Sequence, residues 1–255
     1  MNCRNSEAYL YQAIESVYKQ TFKNWEIILY DNDSIDNTEK IAKSFCSKLK
    51  YHKSPFYRNL YDARNQALSF CSGEIITFLD SDDIWMEDKL EIQLSKISKQ
   101  NPIVAGGYYL IDGKDNIIGL LLEKYKTKFY LKDIFLKNII SIGCLMITKD
   151  LINKYKFNSY YNLLGDFDLL IRLCFKNHIY YINRPLEKSR LHDGNFSKNN
   201  AIRWFKEESY FYIRLFKSNF KIIFNIWYLL FILKTNFKIV IYLIKNLFNL
   251  RNLFY

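Results

Sequence analysis

Glycine is scarce, at 8 of 255 residues, while aromatic residues make up 18% of the chain. That pairing excludes a disordered or low-complexity chain. No Cys-x-x-Cys pair occurs: Cys3, Cys46, Cys71, Cys144 and Cys174 are scattered. Their spacing argues against a disulfide scaffold or a zinc site and favours a reducing compartment. No secretory signal pattern, internal repeat or linker is visible. Acidic residues are absent after Glu208, where Arg214, Lys217, Lys221, Lys234, Lys238, Lys245 and Arg251 supply +7 of the net charge of +11. The tail also lacks a run long enough to span a bilayer, its uncharged stretch 222–233 being too short. No nucleic-acid recognition motif accompanies the basic residues, so nucleic acid is not an expected partner.

What is present is an alternation of apolar patterns. Residues 7–20 read as an amphipathic helix with Tyr9, Leu10, Ala13, Ile14, Val17 and Tyr18 on one face. Glu26 to Tyr30 reads as a strand ending at Asp31, and Asp36-Asn37-Thr38-Glu39 as the start of a helix. A strand at 49–53, a helix at 61–71, a strand at 75–79 and a helix at 87–99 follow. Strands separated by helices of this length imply a parallel sheet built by right-handed crossovers. After Pro102 the pattern turns mixed. Two extended runs flank a turn at Asp112-Gly113, 141–148 reads as a strand, 166–176 as a helix and 178–182 as an edge strand.

The chemistry centres on Ile75 to Leu79, an apolar run that stops at Asp80-Ser81-Asp82-Asp83. Ligands of open α/β sheets bind beyond the carboxyl ends of strands, and closely spaced carboxylates there suit a hard cation. The competing use is local, with Asp83 capping a helix near Trp85 and the other acids solvated.

The series Ala13-Ile14-Glu15-Ser16-Val17, Gln20-Thr21, Trp25-Glu26-Ile27-Ile28, Asp31-Asn32-Asp33-Ser34, Ala63-Arg64-Asn65, Gly73 to Asp83, Gly165-Asp166-Phe167-Asp168 and Leu191-His192-Asp193-Gly194-Asn195-Phe196-Ser197 resembles the inverting family 2 glycosyltransferases of the GT-A fold. The resemblance covers about residues 2–200. It implies a GT-A domain over 1–200, its donor half near 1–100 and its acceptor half near 101–200, with 201–255 as a basic helical tail. It also implies transfer of a sugar from a nucleotide diphosphate, most often a UDP-sugar, to a glycan or lipid-linked acceptor in cell-surface glycan synthesis.

By the same resemblance, Asp31 would accept from the base and Arg64 would sit at the diphosphate, where a guanidinium fork suits phosphate oxygens. Asp80 and Asp82 would form the D-x-D pair holding Mn²⁺ or Mg²⁺, Asp82 as ligand and Asp80 on the ribose or a metal-bound water. Asp166 would be the base that deprotonates the acceptor, or the N-cap of its helix, or both. His192 would approach the metal or diphosphate.

The departures are Gly165, where the family usually has Glu, and the start, where only Asn2-Cys3 of the family's first strand and turn remains. They leave open an upstream start or an inactive relic of the fold. In the tail, Lys234, Lys238, Lys245, Asn249 and Asn252 would share a helix face. Such a helix suits the inner surface of an anionic membrane; a helical hairpin packed on the core or a dimer contact is the alternative. A non-enzymatic peripheral membrane module is the rival function.

Overall fold

A computed structural model of the chain describes residues 1–45, 48–136, 139–194 and 201–218, with side-chain detail in the last segment limited to part of it. Strands β1 (Asn2–Cys3), β2 (Ile27–Asp31) and β3 (Leu49–Lys53) form a parallel sheet in the order β1-β2-β3. Helices α1 (Leu10–Tyr18), α2 (Thr38–Lys43) and α3 (Leu60–Phe70) alternate with these strands. Next come β4 (Ile75–Thr77), β5 (Ile84–Trp85) and α4 (Lys89–Leu94), followed by the hairpin β6 (Ile103–Ile111) and β7 (Ile117–Leu121). The remainder is β8 (Lys128–Phe129), α5 (Leu131–Leu136), β9 (Met146–Thr148), α6 (Lys149–Tyr155), α7 (Gly165–Cys174), β10 (Ile179–Arg190) and α8 (Ala201–Ser218). The second sheet runs β4-β9-β6-β10-β5, with β7 on β6 and β8 on β10. An isolated parallel bridge between Asn2 and Asp80 links the two sheets.

The expected α/β architecture is therefore present, parallel across β1, β2 and β3 and mixed from β4 onward. Three local expectations change. Residues 178–182 are not an edge strand: β10 runs twelve residues and lies between β6, its parallel partner, and β5. Asn183-Arg184-Pro185 breaks the apolar run in the sequence, but the ladder absorbs these residues as register shifts between Ile182 and Glu187. Residues 141–148 divide into a 3₁₀ turn at Ile142–Cys144 and β9. Strand β4 pairs antiparallel with β9, and Phe78 and Leu79 beyond it are buried outside the ladder.

Apolar spacing explains α1. Leu10, Ala13, Ile14 and Val17 recur at steps of three and four and are all buried, packing with Ile27, Leu29, Trp85 and Leu90. Burying each larger aliphatic contributes about 1.5–3 kcal/mol. Two polar residues of the same region tie α1 to the segment after the acidic loop. Ser16 Oγ accepts from the Trp85 amide, and Gln20 donates to Met86 O while accepting from the Leu90 amide. Glu26 pins the turn before β4 by accepting from Ser72 and Gly73, and pairs with Lys50. Burial would raise its carboxyl, but these bonds overcome that and hold it at about 2.

Between β2 and β4 lies a cavity of about 680 Å³, lined by Met1, Ile28, Arg64, Leu68, Ile76 and Phe78 among others. The Met1 amine is buried at its wall and donates to Ile28 O. Among the described residues Cys3, Cys71, Cys144 and Cys174 are free, and no helix is long and apolar enough to cross a membrane. The basic helix expected over 234–252 lies outside the described residues.

Candidate active site

Three loops meet at the carboxyl ends of β1, β2 and β4. The turn Asp31-Asn32-Asp33-Ser34 follows β2, and Asp33 adopts φ 67° there, a left-handed conformation that Asp tolerates better than most residues. Asn5 donates its amide to Ser34 Oγ, and Ser6 Oγ lies 2.8 Å from Ser81 Oγ. The N-terminal loop thus joins the turn after β2 to the acidic loop.

Asp31 is fully buried at the end of β2. Its Oδ1 accepts from the Ser34 amide at 2.8 Å and its Oδ2 from the Tyr51 hydroxyl at 2.6 Å. It therefore orders the turn, and each oxygen retains a further lone pair. Burial, reinforced by the Asp31 hydrogen bond and charge, pushes the Tyr51 phenol up, so the hydroxyl stays a donor.

Arg64, on α3, is not the exposed helix charge that a lone arginine commonly is. Only 3% exposed, it donates from Nη1 to Asp166 Oδ1 at 2.6 Å and from Nη2 to Asp80 Oδ1 at 2.5 Å. One guanidinium fork thereby joins the acidic loop to the start of α7. Pairing with two carboxylates offsets the cost of burying the cation. Burial raises the Asp166 carboxyl and the negative charge of Asp80 adds to that, against the pull of Arg64; the net direction is upward.

Asp82 faces the final loop. His192 Nε2 lies 3.0 Å from its Oδ2, and the Gly194 amide donates to His192 Nδ1. That donor assigns the ring proton to Nε2, which points it at Asp82. Burial and then the charge of Asp80 push Asp82 up.

Asp83 does not cap a helix, since β5 and not a helix follows it. It is buried, accepts from the Arg190 amide at 2.8 Å, and lies against Glu187 of β10. Burial and then the Glu187 charge hold its carboxyl well above the usual range.

Arg190 is a residue that motif reading misses. Its guanidinium is buried, donates to Asp82 O at 2.8 Å and to Gln12 at 3.0 Å, pairs with Asp115, and lies over the Tyr9 ring. It fastens the acidic loop to α1 and to the β6–β7 hairpin. Its only sequence signal is its place two residues before His192. Asp168, two residues after Asp166, binds Arg172 and Arg214 and is no part of the cluster.

The site thus gathers Arg64, Asp80 and Asp166 in one contact chain and Asp82 with His192 in another, while Asp31 stands at the neighbouring strand end. Among the described residues no group of three His, Cys, Asp or Glu side chains is spaced to enclose a metal ion. The donors suit Mg²⁺ or Mn²⁺ all the same, because such ions take one or two protein carboxylates and complete their shell with phosphate oxygens and water.

Comparison with known structures sets the class. TarS 1–349 of S. aureus, solved with UDP-GlcNAc, superposes with a TM-score of 0.64 at 20% identity, covering 78% of this chain and 59% of that one. The same TarS fragment solved with UDP gives 0.64 at 19% identity over 77% and 61%. That likeness defines the fold as GT-A. The Glycosyl transferase family 2 profile matches residues 1–155. The Escherichia coli UDP-Glc:alpha-D-GlcNAc-diphosphoundecaprenol beta-1,3-glucosyltransferase WfgD is 36% identical over 200 residues, which cover 76% of this chain and 77% of WfgD. Streptococcus pneumoniae glycosyltransferase GlyG is 27% identical over 183 residues, covering 70% and 57%. The chain belongs to glycosyl transferase family 2.

Proposed function

We propose that this glycosyltransferase moves a sugar from a UDP-sugar to a lipid-linked glycan acceptor with inversion at the anomeric carbon, using a divalent cation. The observation that carries the reading is the Arg64 bridge, which sets Asp166 one guanidinium away from Asp80. The groups that would handle the diphosphate and the group that would handle the acceptor proton are neighbours, as a single displacement requires.

In this reading Asp31 accepts from the nucleotide base, Arg64 and Asp80 border the ribose and diphosphate, and Asp82 with Asp80 would hold Mg²⁺ or Mn²⁺. The ion would neutralise charge on the departing UDP. Asp166 accepts the proton of the acceptor hydroxyl as that oxygen attacks opposite the diphosphate. A carboxylate raised above its ordinary range is a better base at neutral pH than a solvated one. Gly165 does not argue for a relic: a Cβ there would stand 2.6 Å or less from three Tyr61 ring atoms, so this packing demands glycine.

The UDP ligands of TarS and the UDP-Glc donor in the name of WfgD support a UDP-sugar. The diphosphoundecaprenol acceptor in that name supports a lipid diphosphate, and with it work at the inner membrane surface. The test is incubation of the protein with Mn²⁺, UDP-Glc and a GlcNAc-α-diphosphate lipid, with the product's anomeric configuration read by NMR. A β-linked product supports the reading. An α-linked product, or none with any UDP-sugar from folded protein, overturns it.

A further inference from the structure

Helix α7 begins without a cap of its own. Leu164, at the N-cap, makes no side-chain cap hydrogen bond, and Asp166 follows two residues later. A chain entering a helix in this way leaves amides that need acceptors. The loop that leads into this helix, up to the N-cap residue Leu164, is instead held from α8, forty-odd residues on. Glu207 is 4% exposed, and its Oε1 accepts from the Asn162 amide at 2.8 Å. Its Oε2 accepts from the Leu163 amide at 2.8 Å and the Leu164 amide at 3.1 Å. Three successive backbone amides converge on one buried carboxylate, and each such charge-assisted bond is stronger than a neutral one. On the other side of the same loop, the Tyr61 hydroxyl donates to Leu163 O at 3.2 Å.

We propose that Glu207 is a positioning residue for Asp166: it fixes the 162–164 loop, and through it the first turn of α7, so that the Asp166 carboxylate meets Arg64 and the acceptor hydroxyl in one geometry. The inference rests on the reading of Asp166 as the base. Its consequence is that α8 belongs to the catalytic unit. Other contacts of the helix agree: Phe211 is buried against Phe167, Arg214 pairs with Asp168 at 3.0 Å, and Tyr210 stacks on Tyr160. Those contacts dock α8; Glu207 alone among them grips the loop that leads into Asp166.

The experiment compares Glu207→Gln, Glu207→Asp, Arg214→Met and Asp166→Asn in the full chain. Rates are normalised to UDP-binding sites counted by calorimetry in Mn²⁺. Glutamine keeps the volume but puts an NH₂ where an amide N–H must be accepted, and aspartate falls one methylene short. Misplacing a catalytic group by about 1 Å costs up to roughly a hundredfold. The expected result is a loss of kcat of roughly ten- to a hundredfold in both Glu207 variants, with the UDP Kd unchanged. Arg214→Met, which loosens α8 elsewhere, should stay within about twofold of the wild-type kcat. If the Glu207 variants match Arg214→Met per binding site, Glu207 is structural only and the proposal falls. Wild-type turnover in Asp166→Asn would instead overturn the base assignment, and the proposal with it.

Discussion

His192 Nε2 lies 3.0 Å from Asp82 Oδ2, although 110 residues separate them in the chain. The contact makes the final loop part of the acidic site and gives the Asp82 carboxylate one orientation. Partners that orient a metal-binding carboxylate typically contribute ten- to a hundredfold in metal affinity. His192→Ala should therefore raise the Mn²⁺ concentration needed for half-maximal UDP binding by roughly that factor, while leaving thermal stability nearly unchanged. An unaltered Mn²⁺ requirement would remove His192 from the site.

The upward shift of Asp166 has a direction in pH. In the proposed role of base Asp166 would work only when ionised, so kcat/KM should fall as pH drops through its raised value. The acid limb should stand above the ordinary Asp range near about 3.9. The stability sign is the reverse of the usual carboxylate case. A carboxyl raised on folding contributes stability below its unfolded value and loses it as pH rises through the folded one. Asp166→Asn should thus be at least as stable as wild type at pH 8, yet nearly inactive. A pH–rate profile and urea melts at two pH values check both statements. An acid limb within the ordinary range would contradict the first.

Gly165 is explained by the ring of Tyr61, whose atoms occupy the space of a Cβ. Tyr61 is fully buried in the main core and cannot swing aside freely. Gly165→Ala should cost about 1–3 kcal/mol of stability, the usual range for overpacking, measured by urea unfolding. Because Asp166 is the next residue, kcat should fall as well. A fully stable and active Gly165→Ala enzyme would show that the ring yields.

Part of this candidate site was legible from local signals, while Arg64, Asp166 and His192 were marked out only by the family resemblance. Apolar runs ending in Asp31 and Asp80 announced strands whose carboxyl ends hold the candidate site, and the pattern of 166–176 placed Asp166 at a helix start. What escaped was long-range pairing of charges. Arg190 and Glu207 are buried only because Asp82 O, Asp115, Gln12 and three loop amides, all remote in sequence, meet them. No local pattern distinguishes such residues from solvated ones. Asp83 read as a cap for the same reason, since its partners Arg190 and Glu187 lie on β10. The full length of β10 was hidden by Asn183-Arg184-Pro185, whose polarity and proline look like a strand's end.

The proposed function requires a UDP site completed by a divalent cation on Asp82. Calorimetric titration of UDP into the purified protein, with Mn²⁺ and with EDTA, tests it most directly, with Asp82→Ala alongside. Binding that requires Mn²⁺ and disappears in Asp82→Ala is the predicted result. UDP binding of equal affinity with and without the metal, or unchanged in Asp82→Ala, would contradict it.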